Sequence, residues 1–228
     1  MKKIALVVLL AIGASAFGQP IPKMVKSPVE LVPPGYVVVQ EIQGDLNKDN
    51  QADHVLIIKG TNKDRFIEDE QRGRLDRNRR GIIIALQNNG RYELAMENRN
   101  CFSSENEDGG VYFAPELHVS ISKGNLQVHY AHGRYGYWTY SFRYRNFDFE
   151  LIGYEGSVNN GPVIDKMVSI NFMTKKVRTR KNINPDAEAG EEKFKESWTE
   201  FLLSKPIRLR EIADFDNLDV NGFLESVK

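Results

Sequence analysis

The stretch LHVSISKGNLQVHYAHGRYGYWTYSFRYRNFDFELIGYE, residues 117–155, decides the fold. Its apolar residues recur at every second position, as in Val119 and Ile121, Leu126, Val128 and Tyr130, and Tyr140, Phe142 and Tyr144. A period of two is the repeat of a strand with one buried and one wet face. Turn-forming residues divide the runs: Gly124 and Asn125 lie between LHVSISK and LQVHYAH, and Asn146 to Asp148 between WTYSFRYR and FELIGYE.

The same grammar extends in both directions. GIIIALQ and RYELAMEN flank NNG (88–90), where Asn-Gly is a strong two-residue hairpin signal, and VSINFMT meets KVRTRK near Thr174 and Lys175. Four hairpins in succession predict a mainly β fold, an antiparallel meander that closes as a sandwich, a barrel-like sheet or a partial propeller-like array. YVVVQEIQG (36–44) and HVLIIKG (54–60) add two strands around an Asp-rich loop, and Thr61 to Arg80 reads as an exposed excursion with a helical turn. Residues 19–35 carry five prolines and read as an extended leader. No shift in composition marks a boundary, so 36–228 is expected to be a single β-rich domain. Its one helix is expected at about 187–203. There Phe194, Trp198, Phe201 and Leu202 form an apolar stripe, acids crowd the first turns, Pro206 follows, and Trp198 should be largely buried against the sheet.

Met1, Lys2 and Lys3 precede an apolar run from Ile4 to Ile12 and then the small residues Ala14, Ala16 and Gly18, the pattern of a secretory signal peptide over 1–18. The run is far short of the roughly 20 residues a bilayer requires, so no membrane span is expected. Cleavage after Gly18 or after Ala16 fits, and neither site offers a cysteine for lipid attachment. The one cysteine, Cys101, cannot form an internal disulfide and reads as an inert thiol. The product is expected in the periplasm or outside the cell. Thirty-one basic and 31 acidic residues leave no net field to draw it to nucleic acid or to an anionic membrane. The basic stretches RGRLDRNRRG (72–81) and KKVRTRK (175–181) read as solvated faces.

The definite chemistry lies in GDLNKDNQADHVLIIK (44–59). Asp45, Asn47 and Asp49, the backbone carbonyl of Gln51, and Asp53 occupy alternate positions, an arrangement that can turn several oxygens toward one hard cation such as Ca2+. Asn50 suits the positive φ that a sharp turn after Asp49 needs. A helical calcium hand would place glutamate where Leu56 stands, which excludes that motif. The loop resembles instead the strand-flanked calcium loop of FG-GAP repeats in integrin-type β-propellers, with Asn50 in the place of the usual glycine and Lys48 added. It occurs once here. The resemblance implies a structural ion pinning a strand-to-strand turn; the alternative is a polar turn held by local hydrogen bonds.

HYAHGRYGYWTYSFRY (129–144) concentrates rings around two glycines. Its loop portion, His132, Arg134, Tyr135, Tyr137 and Trp138, is a candidate surface for stacking on sugar rings or on a protein. His129 and His132 fall on opposite faces of a strand and do not read as metal ligands. EDGGVYF (107–113) reads as a turn, and Asp214, Asp216 and Asp219 in ADFDNLDVNG as a capped turn. The order GDLNKDNQADHVLI, RGIIIAL with RYELA, EDGGVYF, a hairpin, then WTYSFRYRNFDFELIGYE is similar to that of a family of uncharacterised secreted bacterial proteins, over roughly 36–155. The family implies a secreted β-rich product and no activity. The expectation is therefore a non-enzymatic, calcium-binding module presenting an aromatic loop to a glycan or envelope protein. Two alternatives stand: a hydrolase of polysaccharide or cell wall with carboxylates from distant strands, and a purely structural envelope protein.

Overall fold

The computed structural model describes residues 24–106 and 116–226; the expected signal peptide (1–18) and EDGGVYF (107–113) lie outside them. The strands are β1 (Met24–Val25), β2 (Tyr36–Gly44), β3 (Asp53–Gly60), β4 (Phe66–Asp69), β5 (Gly73–Asp76), β6 (Arg80–Asn88), β7 (Arg91–Phe102), β8 (Glu116–Ser122), β9 (Asn125–Ala131), β10 (Gly136–Arg145), β11 (Asp148–Asn160), β12 (Val163–Asn171), β13 (Lys176–Asn182), β14 (Phe194–Leu202) and β15 (Glu225–Ser226). They form a five-stranded sheet, β1-β7-β6-β3-β2, and an eight-stranded sheet running from β8 through β15 in chain order. All neighbouring pairs are antiparallel, as alternation with short turns requires.

The hairpins take their turns from residues in the left-handed region. Asn89 and Gly90 have φ of 50° and 75°, and Asn146 and Phe147 have 52° and 58°. Successive positive φ values match the right-handed twist of the flanking strands. Phe147 takes this conformation while 88% exposed. A further hairpin, β11 to β12, turns at Gly161. The 61–80 excursion carries a 3-10 turn at Lys63–Arg65 and the small β4–β5 hairpin, on which the Arg74 guanidinium lies 4.6 Å from the Phe66 ring centre.

Alternation fixes which faces meet. Val55, Ile57, Ile82, Ile84 and Met96 of the five-stranded sheet pack against Val119, Leu126, Val128, Tyr140 and Phe142 of the long sheet. Leu56, Ile58 and Ile83 point the other way and are covered by Leu31, Val32, Tyr36 and Val38. The expected leader therefore supplies both a cover and the edge strand β1. At the other edge the sheets converge: a Cβ on Gly44 would lie 2.9 Å from Ile121, so the two layers curl into a half-barrel.

The long sheet outreaches its partner. Phe172, Val177 and Phe201 are covered by the C-terminal segment through Ile207, Leu209 and Ile212. That segment is fastened by the amide of Leu151, which donates to the Ile207 carbonyl at 2.8 Å, and by Arg210, whose Nε lies 2.8 Å from buried Asp148. Beyond it, among the described residues, Val158 of β11, Lys166 of β12, Lys181 of β13 and seven of the nine residues of β14 are exposed.

The C-terminal helix is corrected. No helix of seven or more residues occurs among the described residues, and 194–202 is β14, paired with β13 from Phe194↔Asn182 to Glu200↔Lys176. The acids expected to open the helix lie in the connecting loop, where Glu192 accepts from the amides of Ile164 and Gly190 at 3.0 and 2.9 Å. The segment also reads with period two, which puts Phe201 inside and Phe194 and Trp198 outside. An open sheet edge on β13 offers a full ladder of backbone hydrogen bonds, and that overrides a marginal helical preference. Trp198 is accordingly 59% exposed, not buried.

Candidate functional site

The β2–β3 loop is built by its acids acting on backbone amides. Asp45 Oδ1 accepts from the amides of Lys48 and Asp49 at 2.6 and 3.2 Å, and its Oδ2 from Asn50 at 3.0 Å. Asp49 accepts from the Gln51 amide at 2.8 Å and from the Asn47 and Gln51 side chains at 2.9 and 3.2 Å. Those hydrogen bonds hold its carboxyl below the usual range. Lys48 and Asn50 both take positive φ, 67° and 65°. Asp53 is different: it is fully buried, and its two oxygens accept from Leu46 at 2.7 Å, Asn47 at 3.3 Å and Gln87 at 3.0 Å. It staples the loop to the end of β6. Burial pushes its carboxyl up despite those three amides. Among the described residues, no three His, Cys, Asp or Glu side chains come together as a group that could hold a metal.

The aromatic loop is divided by the pleat of β10. Trp138 turns toward the core face and stacks on Tyr130 with ring centres 5.4 Å apart. His132 lies 5.1 Å from Tyr135 and 6.3 Å from Trp138, so these three rings form one corner at the start of β10. Tyr137 projects from the opposite face, 5.7 Å from His129, and lines a cleft of about 80 Å³ with Glu155, Met167, Arg178 and Arg180. Arg134 is exposed within the short 3-10 turn at Gly133–Tyr135. The turn into β10 requires glycine at 136: φ is 118°, and a Cβ would fall 1.9 Å from the Ser157 carbonyl oxygen.

On that opposite face Trp198 hydrogen-bonds Glu196 at 2.7 Å and lies under the Arg178 guanidinium at 5.8 Å, while Arg180 lies 4.4 Å from the Phe194 ring centre. Burial, and then the neighbouring His118, lower the pKa of His129 there. Sequence periodicity missed this cluster because it treated 194–202 as a helix. It also missed Lys166, Lys181 and Lys195, three lysines from three separate runs, which meet only through strand register.

Other candidates resolve into structural roles. Buried Asp148 and Glu150 are tied to Arg210 and Arg145 at 2.8 and 3.2 Å. Asp214 pairs with Arg79 at 2.9 Å and accepts from the Asp216 amide, and Asp219 accepts from the Asn221 amide, as capped turns do. Cys101 is fully buried, which raises its thiol pKa. A cavity of about 500 Å³ lies in the C-terminal segment among Leu203, Ile207, Ile212, Leu218 and Phe223. No family model matches the chain, and no curated protein or solved structure matches it either.

Proposed function

We propose that the chain is a secreted or periplasmic binding module, pinned at the β2–β3 loop by one structural calcium ion and offering the corner of His132, Tyr135 and Trp138 to a glycan. The observation that carries the binding reading is the position of this corner. Three rings gather at the rim of the long sheet, beside an end that no second sheet covers among the described residues, and Tyr135 is exposed there for a sugar ring to stack on. Arg134 beside them adds hydrogen-bond donors.

The calcium reading is supported by the alternate spacing of Asp45, Asn47, Asp49, Gln51 and Asp53 and by the positive φ at Asn50, in a loop of the FG-GAP-like kind. Asp45 Oδ2, Asp49 Oδ1 and Asp53 Oδ1 each accept one amide and retain a lone pair for a cation. Secretion rests on residues 1–18.

Thermal melting with calcium and with chelator tests the ion. An ion that binds only the folded chain raises Tm by about 5–10 °C at a hundredfold excess over Kd. Asp49→Ala removes that response; because it also deletes the acceptor of the Gln51 amide, it lowers the calcium-free melting point slightly, and the loss of the calcium increment is the readout. No calcium dependence in the wild-type protein removes the ion from the reading. Titration with soluble oligosaccharides tests the corner: Tyr135→Ala weakens binding about tenfold, and failure of every oligosaccharide overturns the glycan reading.

A further inference from the structure

Lys166, Lys181 and Lys195 stand directly opposite one another on β12, β13 and β14, in the pairs Lys166↔Lys181 and Lys181↔Lys195. Neighbouring strands are about 4.8 Å apart, so three like charges share one line across the sheet, an arrangement that costs stability at each pair. All three are exposed, and none has an ion pair among the described residues. The opposite face of β13 and β14 is arranged differently. There Lys176 is opposite Glu200 and pairs with it at 3.8 Å. Charge is thus balanced across β13 and β14 on one face and left repulsive on the other.

The row continues through Val158 on β11, itself 59% exposed, to Gly136 on β10. The adjacent row is Trp138↔Gly156↔Val168↔Thr179↔Ser197, so the lysines lie on the Trp138 face. Gly136 directly follows Tyr135. The cation row therefore points along the sheet toward the corner of His132, Tyr135 and Trp138, two strands beyond Lys166.

We propose that this row binds an acidic polysaccharide laid across the strands, with successive carboxylates on Lys195, Lys181 and Lys166 and a sugar ring against Tyr135 and Trp138. The inference rests on the glycan-binding reading and specifies its ligand class. A single-stranded nucleic acid also combines anions with stackable rings. Proteins that bind it carry a broad basic excess, whereas this chain has equal numbers of acidic and basic residues and only a local row.

The test is calorimetric titration of the full chain with three probes: an oligogalacturonate, a neutral galactan oligomer of the same length and a single-stranded oligonucleotide. The oligogalacturonate is expected to bind roughly tenfold or more tightly than either other probe and to weaken as salt rises. Lys181→Glu turns two repulsive pairs into two attractive ones. It is expected to raise Tm by about 1–4 °C while weakening oligogalacturonate binding about tenfold or more. A gain in stability together with a loss of binding is what a purely protective surface charge would not give. Unchanged binding in Lys181→Glu, or preference for the oligonucleotide, overturns the inference. Equal binding of the neutral oligomer overturns it and leaves the glycan-binding reading standing, while no binding of any saccharide overturns both.

Discussion

The two ends of the long sheet are made by the same ladder of hydrogen bonds and stabilised by different means. Near β8–β10 one face is pressed against the five-stranded sheet, and Val128, Tyr140 and Phe142 are buried against a second layer. Toward β14 the strands keep register with β13 over seven residue pairs, yet all but two of the β14 residues are exposed or nearly so. Pairing alone thus carries a strand outward only while its neighbours hold it, and the outward part is free to vary its side chains. In a molecule of this shape, stability concentrates at one end and surface chemistry at the other.

The sharpest way to break that contrast is to truncate one residue from each end. Phe142→Ala opens a cavity in a closed core and is expected to cost about 3–5 kcal/mol in urea unfolding. Trp198→Ala, although it removes a larger side chain, is expected to change stability by less than about 0.5 kcal/mol. A comparable loss in both variants would show that β14 is covered in solution. Next in size, Asp53→Ala leaves the amides of Leu46, Asn47 and Gln87 without their acceptor and is expected to cost about 2–4 kcal/mol. It thereby ranks the loop staple with the closed end.

Smaller, and opposite in sign between two sites, is the response to pH. Burial raises the pKa of Asp53, so the protonation-linked part of its contribution is full below the unfolded value of 3.8 and is lost as pH rises through the folded value. For Asp214, burial works against ionisation, but hydrogen bonds from Asn217 and Arg79 outweigh it and lower the pKa. Its contribution is present above 3.8 and is lost as pH falls through the folded value. The penalty of Asp214→Asn is therefore expected to shrink between neutral pH and about pH 3, and that of Asp53→Asn to grow, in urea titrations at the two conditions.

The hairpins were legible because each run declared both its period and its turn. NNG, and the turns at Gly124, Asn146 and Lys175, all joined neighbouring strands. Segment 187–203 was not legible, because a four-three-one spacing of Phe194, Trp198, Phe201 and Leu202 suits a helix and the competing partner, the free edge of β13, is visible only once the sheet exists. The positive φ at Asn50 followed from local chemistry. The division of Tyr137 from Trp138 follows from the pleat of β10, which a single loop over 132–138 does not contain. The lysine row depends on the registers of three strands at once, and no local window contains it.

β11 runs for 13 residues, Asp148–Asn160, and carries the chain from Phe149 in the core to Val158 in solvent. The outlying strands are thus carried as a cantilever, with no linker between the anchored and the free end. A partner that settles there meets a surface whose backbone is already ordered. Association need not freeze a swinging arm, and its entropic penalty falls mainly on side chains and on the partner itself.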